Sequence, residues 1–197
     1  MRQVSEKDYE RVISFLKSCR AHQIAHVNGY LLAHLEGTFN LLNVWGNTAE
    51  LCLAGLCHTV YGTDGFEARF LDISQRRELS NLIGPKAERL VYFYASCDRS
   101  HLYPQIGHAL PVRFRDRFNG SIFTPEDWLF KAFLELTFAN ELEILRSDAA
   151  LLEKSRASLE PLFAHCRRHV SDSAFACFLR LYGTRLELPD PDLSAAC

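Results

Sequence analysis

The stretch "YLLAHLEGTFNLLNVWGNTAELCLAGLCHTVYGT", Tyr30 to Thr63, decides the fold. On both sides of Trp45-Gly46-Asn47 apolar residues recur at three- and four-residue spacing, the pattern of two amphipathic helices joined by a tight turn. The first stripe carries Tyr30, His34, Gly37, Thr38 and Leu41, and the second carries Leu51, Ala54, His58 and Tyr61. Each stripe sets a histidine mid-helix among apolar neighbours. Antiparallel pairing of the helices brings the two stripes together.

Outward from this pair, helix start signals recur. Ser5-x-x-Asp8 opens a first helix and Asn47-x-x-Glu50 opens the one carrying His58. Thr124-Pro125-Glu126-Asp127 combines a cap, a proline and acidic residues, so a long helix is expected from there to about Arg146. Gly84-Pro85 divides "SQRRELSNLI" from "KAERLVYFYAS" into two tightly joined helices, and Ser171 and Gly183 bracket a last one. One segment alternates instead: "PVRFRDRFNGSIF" sets Val112, Phe114 and Phe118 against Arg113, Arg115 and Arg117, then meets Asn119-Gly120. A short hairpin near residues 111–123 follows. The fold class is all-α, a helical bundle with that hairpin, as a single domain over residues 1–187 and an unstructured tail over 188–197.

Composition bounds the function. The chain has 197 residues, 48% of them hydrophobic, enough for one well-buried core. Twenty-two Lys and Arg against 24 Asp and Glu give a formal charge of -2, which argues against non-specific nucleic-acid binding. The polar N-terminus has no signal-peptide pattern and no apolar run is of membrane-spanning length, so neither secretion nor a membrane partner is expected. The seven cysteines are scattered, without a Cys-x-x-Cys pair, and read as reduced thiols of a cytoplasmic protein. A small molecule is the expected partner.

The chemistry centres on His34, His58 and Asn140. Neutral imidazole is a good ligand for zinc, iron and manganese, and two facing imidazoles in a bundle are a common start to a metal site. The alternative is a pair of core histidines, each satisfied by a carbonyl or a neighbouring side chain. Asn140 tips the balance, because in "FLELTFANELEILR" it shares a face with Phe133 and Leu136 and needs a partner there. Further ligand candidates are His26, Asp64, Asp98, His101, His108, Glu141 and Glu143. His101 is the first of these for the metal set, with surface-loop histidines as the alternative for His101 and His108. Glu143 reads as a ligand or general base, or else as an exposed acid pairing with Arg146. Arg113 and Arg115 read as anion-gripping arginines or, more simply, as a solvated strand face.

The order of His34, "AGLCHT" at His58 and "FANELEILR" at Asn140 resembles the HD-domain superfamily. There a histidine, a His-Asp pair and a later aspartate hold metal in an all-helical fold. "RRELSNLIGPKAERLVYFYASCDR" and "TFANELEILR" extend the similarity, from about Gln23 to Arg146, to the branch containing the guanosine tetraphosphate hydrolases. "HLEGTFNLLNVWG" with "AGLCHTVYGT" is similar to the hallmark of a small HD-like family named only as a domain of unknown function. The departures all remove charge: Thr59 stands in place of the paired aspartate, Gly62 and Thr63 in place of the acidic turn, and Asn140 in place of the closing aspartate. Neutral oxygens do not neutralise two adjacent cations, so a dinuclear site and guanosine tetraphosphate hydrolysis are not carried over.

Three functions follow from the resemblance. The first is a metal-dependent hydrolase of a small phosphate-containing or nucleotide substrate, with a manganese, iron or zinc ion on His34, His58, Asn140 and His101. In it Glu143 and Thr59 are catalytic, and Arg99, Arg113, Arg115 and Thr63 hold substrate. The second is a binding module without metal or turnover, its histidines closed into a polar network with Thr59 and Asn140. The third is an iron-dependent oxygenase of a small organic substrate, for which Phe39, Trp45, Tyr61, Phe66, Tyr92 and Tyr94 would form an apolar cavity or simply the core.

Overall fold

The computed structural model describes residues 3–27, 29–108 and 111–183. Helix α1 (Glu6–Ser18) is capped by Ser5, whose hydroxyl accepts the Asp8 N–H as the sequence signal requires. A two-residue strand pair follows, β1 (Ala25–His26) against β2 (Gly29–Tyr30), and leads directly into α2 (Leu31–Val44). The turn after α2 delivers the chain into α3 (Ala49–Cys57). Two details differ from expectation here. The cap of α3 is Thr48, one residue beyond Asn47, because the Asn47 amide is drawn off to the Leu42 carbonyl and the Glu135 carboxylate. His58 is not mid-helix but closes α3: the helix ends at Cys57, and the His58 ring donates from Nδ1 to the Gly55 carbonyl at 2.7 Å, a carbonyl the helix end leaves free.

Helices α4 (Arg76–Ile83) and α5 (Pro85–Ser96) are separated by Gly84 alone, at φ 88°, with Pro85 opening α5. A positive φ at that junction is what only glycine adopts without strain, so the Gly-Pro pair both ends one helix and starts the next. After the one-turn α6 (Arg99–Leu102) comes the hairpin, β3 (Phe114–Arg115) paired antiparallel with β4 (Ile122–Phe123). Val112 and Phe114 face the core as the alternation predicts. Buried Asp116 shapes the turn by accepting from Phe118 N–H, the Asn119 amide and the Tyr92 hydroxyl.

The long helix α7 (Asp127–Leu145) starts two residues after Pro125. Its cap residue, Glu126, makes no side-chain cap, because its carboxylate accepts from the Trp128 indole and pairs with Arg89. α8 (Ala149–His165), capped by Asp148, is absent from the reading of the sequence. Its apolar face runs from Leu151 and Leu152 through Leu159 to Leu162 and Phe163, but Ser155 interrupts that face and Pro161 lies inside the helix, which masks the helical signal in the sequence. α9 (Asp172–Tyr182) runs between Ser171 and Gly183 as expected. The expected tail over 188–197 lies outside the described residues.

α2 packs on α3 and on α7, and α3 packs on α5, so three of the most apolar helices enclose His34 and His58. Buried side chains of α1 to α5 and α7 to α9 join one hydrophobic cluster. Among the described residues no helix is long and apolar enough to cross a membrane, and Cys19, Cys52, Cys57, Cys97, Cys166 and Cys177 are free thiols.

Candidate functional site

α7 presents Asn140 and Glu143, three residues apart and thus on one face, toward α2. Between them they take both nitrogens of the His34 ring. Glu143 Oε2 lies 2.5 Å from Nδ1, and Asn140 Oδ1 lies 3.1 Å from Nε2. The Asn140 amide donates to Glu141 Oε1 at 3.0 Å, which turns its carbonyl oxygen, an acceptor, toward His34. Nε2 therefore donates to Asn140, and the Glu143 carboxylate faces the other ring nitrogen. Gly37 makes room for this pair: a Cβ built there would lie 2.6 Å from Glu143 Oε1, so any larger residue displaces the carboxylate. Glu143 also reaches Arg146 at 3.5 Å, the pairing the sequence offered, but from a position only 15% exposed.

The imidazoles form a run. The His26 ring stacks on His34 with centroids 4.3 Å apart, and His34 meets the edge of His58 at 5.3 Å. Burial, reinforced by the neighbouring His34, pushes His58 down to about 3 and His26 down to about 4. Both rings are therefore neutral at physiological pH. With Nδ1 of His58 committed to Gly55, its Nε2 is an acceptor.

Beside this run lies a cavity of about 440 Å³. His58, Thr59, Thr63 and Asn140 form the buried part of its lining, each at most 7% exposed. Asp64, Arg99 and Glu141 supply its charged groups, and Phe66 and Ile144 an apolar wall. Thr63 and Phe66 pair across the Asp64-Gly65 tip, so one tight turn carries several of these residues. Asp64 Oδ2 accepts the Arg99 N–H at 2.8 Å, joining that turn to α6. The Arg99 guanidinium donates to the Tyr94 hydroxyl at 3.1 Å and lies 3.7 Å from Glu141. Thr59 Oγ1 is buried without a hydrogen-bond partner among the described residues.

The structure thus brings together His34, His58, Asn140, Thr59, Thr63 and Arg99 and, from the further ligand candidates, His26, Asp64 and Glu141. Glu143 reaches the group only through His34 and opens onto a separate cavity of about 210 Å³ with Tyr30 and Arg146. His101 does not line the cavity: it sits on α6 with its Nε2 buried and unpartnered. Asp98 caps α6, and His108 packs against His165. Arg113 donates to Thr124 and the Ile122 carbonyl, and Arg115 lies 3.7 Å from Asp98, so both belong to the solvated hairpin face. Of the aromatic residues considered, Phe66 lines the cavity, while Trp45, Tyr61 and Tyr94 are core.

Sequence reasoning missed the buried carboxylates. Glu88 receives a bidentate Arg76 and the Tyr61 hydroxyl, and Glu135 receives Asn47 and both the N–H and hydroxyl of Ser171. Their only sequence signal is an acid inside an apolar stripe.

The metal that the resemblance implies does not fit this donor set. Both nitrogens of His34 are engaged within the protein, the paired aspartate is a neutral Thr59, and among the described residues no three His, Cys, Asp or Glu converge to hold an ion. No curated protein and no solved structure matches the chain. Over residues 15–99, less than half its length, the chain is similar to a family described as a domain of unknown function (DUF6817), a span that takes in His34, His58 and the Thr63 turn and stops at Arg99.

Proposed function

We propose that this chain is a small-molecule binding module on an HD-like helical fold. The observation that carries the reading is the closed His34 network, with Glu143 on one nitrogen and Asn140 on the other, beside an open cavity lined by four buried polar side chains. A volume near 440 Å³ suits a small organic ligand. Buried polar groups destabilise a core unless they are paired, and Thr59, whose hydroxyl has no partner among the described residues, belongs to the lining of this cavity.

A metal-dependent hydrolase is the second reading, favoured by the run of His26, His34 and His58 rings. It requires Asn140 to yield His34 Nε2 to a cation. Elemental analysis of protein purified without added metal or chelator, followed by thermal melting with manganese, iron(II) and zinc, separates the two. The binding-module reading expects substoichiometric metal and an unchanged Tm. Stoichiometric metal that is lost in His34→Ala would replace it with the hydrolase.

A further inference from the structure

The charge and hydrogen-bond inventory of the cavity goes further and deepens that reading by naming a ligand class. Its charged lining is one guanidinium, Arg99, against two carboxylates, Asp64 and Glu141. His26 and His58, which also line the cavity, are neutral, so among the described residues the lining carries an excess of one negative charge. Part of each carboxylate is still available. Asp64 spends Oδ2 on the Arg99 N–H and Glu141 spends Oε1 on Asn140, while Asp64 Oδ1 and Glu141 Oε2 take part in no hydrogen bond among the described residues. His58 Nε2 adds an acceptor lone pair, and Thr59, 3% exposed, belongs to the same lining. Among the described residues Arg99 is the one charged donor of the lining, and it already serves Tyr94 and Glu141.

A phosphate dianion in this space would meet the excess negative charge, and among the described residues the lining cation, Arg99, is already engaged while Arg113 and Arg115 stand on the solvated hairpin. A metal ion would need converging ligands that the described residues do not supply. A donor-rich cationic group with an apolar body meets every demand of the lining. We propose that the cavity binds an amine-bearing small organic molecule, its ammonium group paired with Asp64 and Glu141 and its body against Phe66 and Ile144. The proposal rests on the binding-module reading, and it departs from the phosphate substrates that the sequence resemblance suggests.

The test is a titration of the ¹⁵N-labelled full chain with benzylamine, benzoate and phenyl phosphate, followed at the backbone amides of Thr59, Thr63, Asp64 and Arg99. Benzylamine is expected to shift these resonances saturably while the two anions leave them in place. The double variant Asp64→Asn/Glu141→Gln, whose own spectrum reports whether it is folded, is expected to weaken benzylamine binding at least tenfold, and Arg113→Ala to leave it unchanged. Should the double variant not fold, Glu141→Gln alone carries the same expectation at a smaller loss. Shifts from either anion in place of benzylamine overturn the amine class and leave the cavity as a binding site. Silence from all three probes overturns the amine proposal and the binding-module reading together.

Discussion

Glu143 rests against the bare backbone face of Gly37, and that contact lets a carboxylate of α7 reach a histidine of α2. Gly37→Ala puts a methyl group 2.6 Å from Glu143 Oε1, so the carboxylate must leave or the helices must part. The expected loss is about 1–3 kcal/mol, the usual cost of overpacking a buried contact, read as a shift in urea midpoint. Because the alanine already breaks the pair, adding Glu143→Gln to Gly37→Ala should cost less than Glu143→Gln costs alone. Equal costs in the two backgrounds would show that Gly37 does not position Glu143. At this scale the sequence marked His34, His58 and Asn140 as one group, because each is a polar residue among apolar neighbours. It left open which atoms meet, and the contacts place Glu143 on Nδ1 and a neutral amide on Nε2.

The helices divide by how much of their making is local. Ser5, Thr48, Asp148 and Ser171 each accept an N–H of the first turn that follows, and the Ser5 and Ser171 caps and the Gly84-Pro85 junction were legible because capping needs no distant residue. α8 was not legible, since its burial depends on α7 and α9, which only the fold brings to it. Ser171 exceeds a plain cap, because its hydroxyl accepts from Ala174 N–H at 3.1 Å and also donates to buried Glu135 at 2.6 Å. Ser171→Ala should therefore cost about 1–3 kcal/mol, against about 1 for Ser5→Ala, which removes a solvent-exposed cap. Equal losses in urea unfolding would mean that Glu135 finds another donor.

For the molecule as a whole, the neutral histidines make stability depend on pH. His58 goes from 6.5 in the unfolded chain to about 3 when buried, so below pH 6.5 the unfolded chain takes up a proton that the folded one refuses. The stabilisation is complete above pH 6.5 and is lost as pH falls from there toward 3. The slope expected from His58 is up to about 1.4 kcal/mol per pH unit, and His26, depressed to about 4, acts in the same direction over a narrower window. Urea midpoints measured from pH 7 to pH 5 should fall steadily, and His58→Gln should flatten the fall. An unchanged slope in that variant would place the pH sensitivity elsewhere.

The sequence by itself determined the all-helical class, the α2–α3 pair and its two histidines, the Gly84 and Gly183 boundaries and the short hairpin. All of these rest on periodicity, capping and turn chemistry within a few residues. Only the tertiary structure decided that both nitrogens of His34 are taken within the protein, that Asp64, Arg99 and Glu141 share one cavity with His58, and that Arg113, Arg115 and His101 lie outside it. Those facts depend on residues as far as 109 positions apart being packed together, and no local pattern encodes which polar atoms the packing brings within hydrogen-bonding distance.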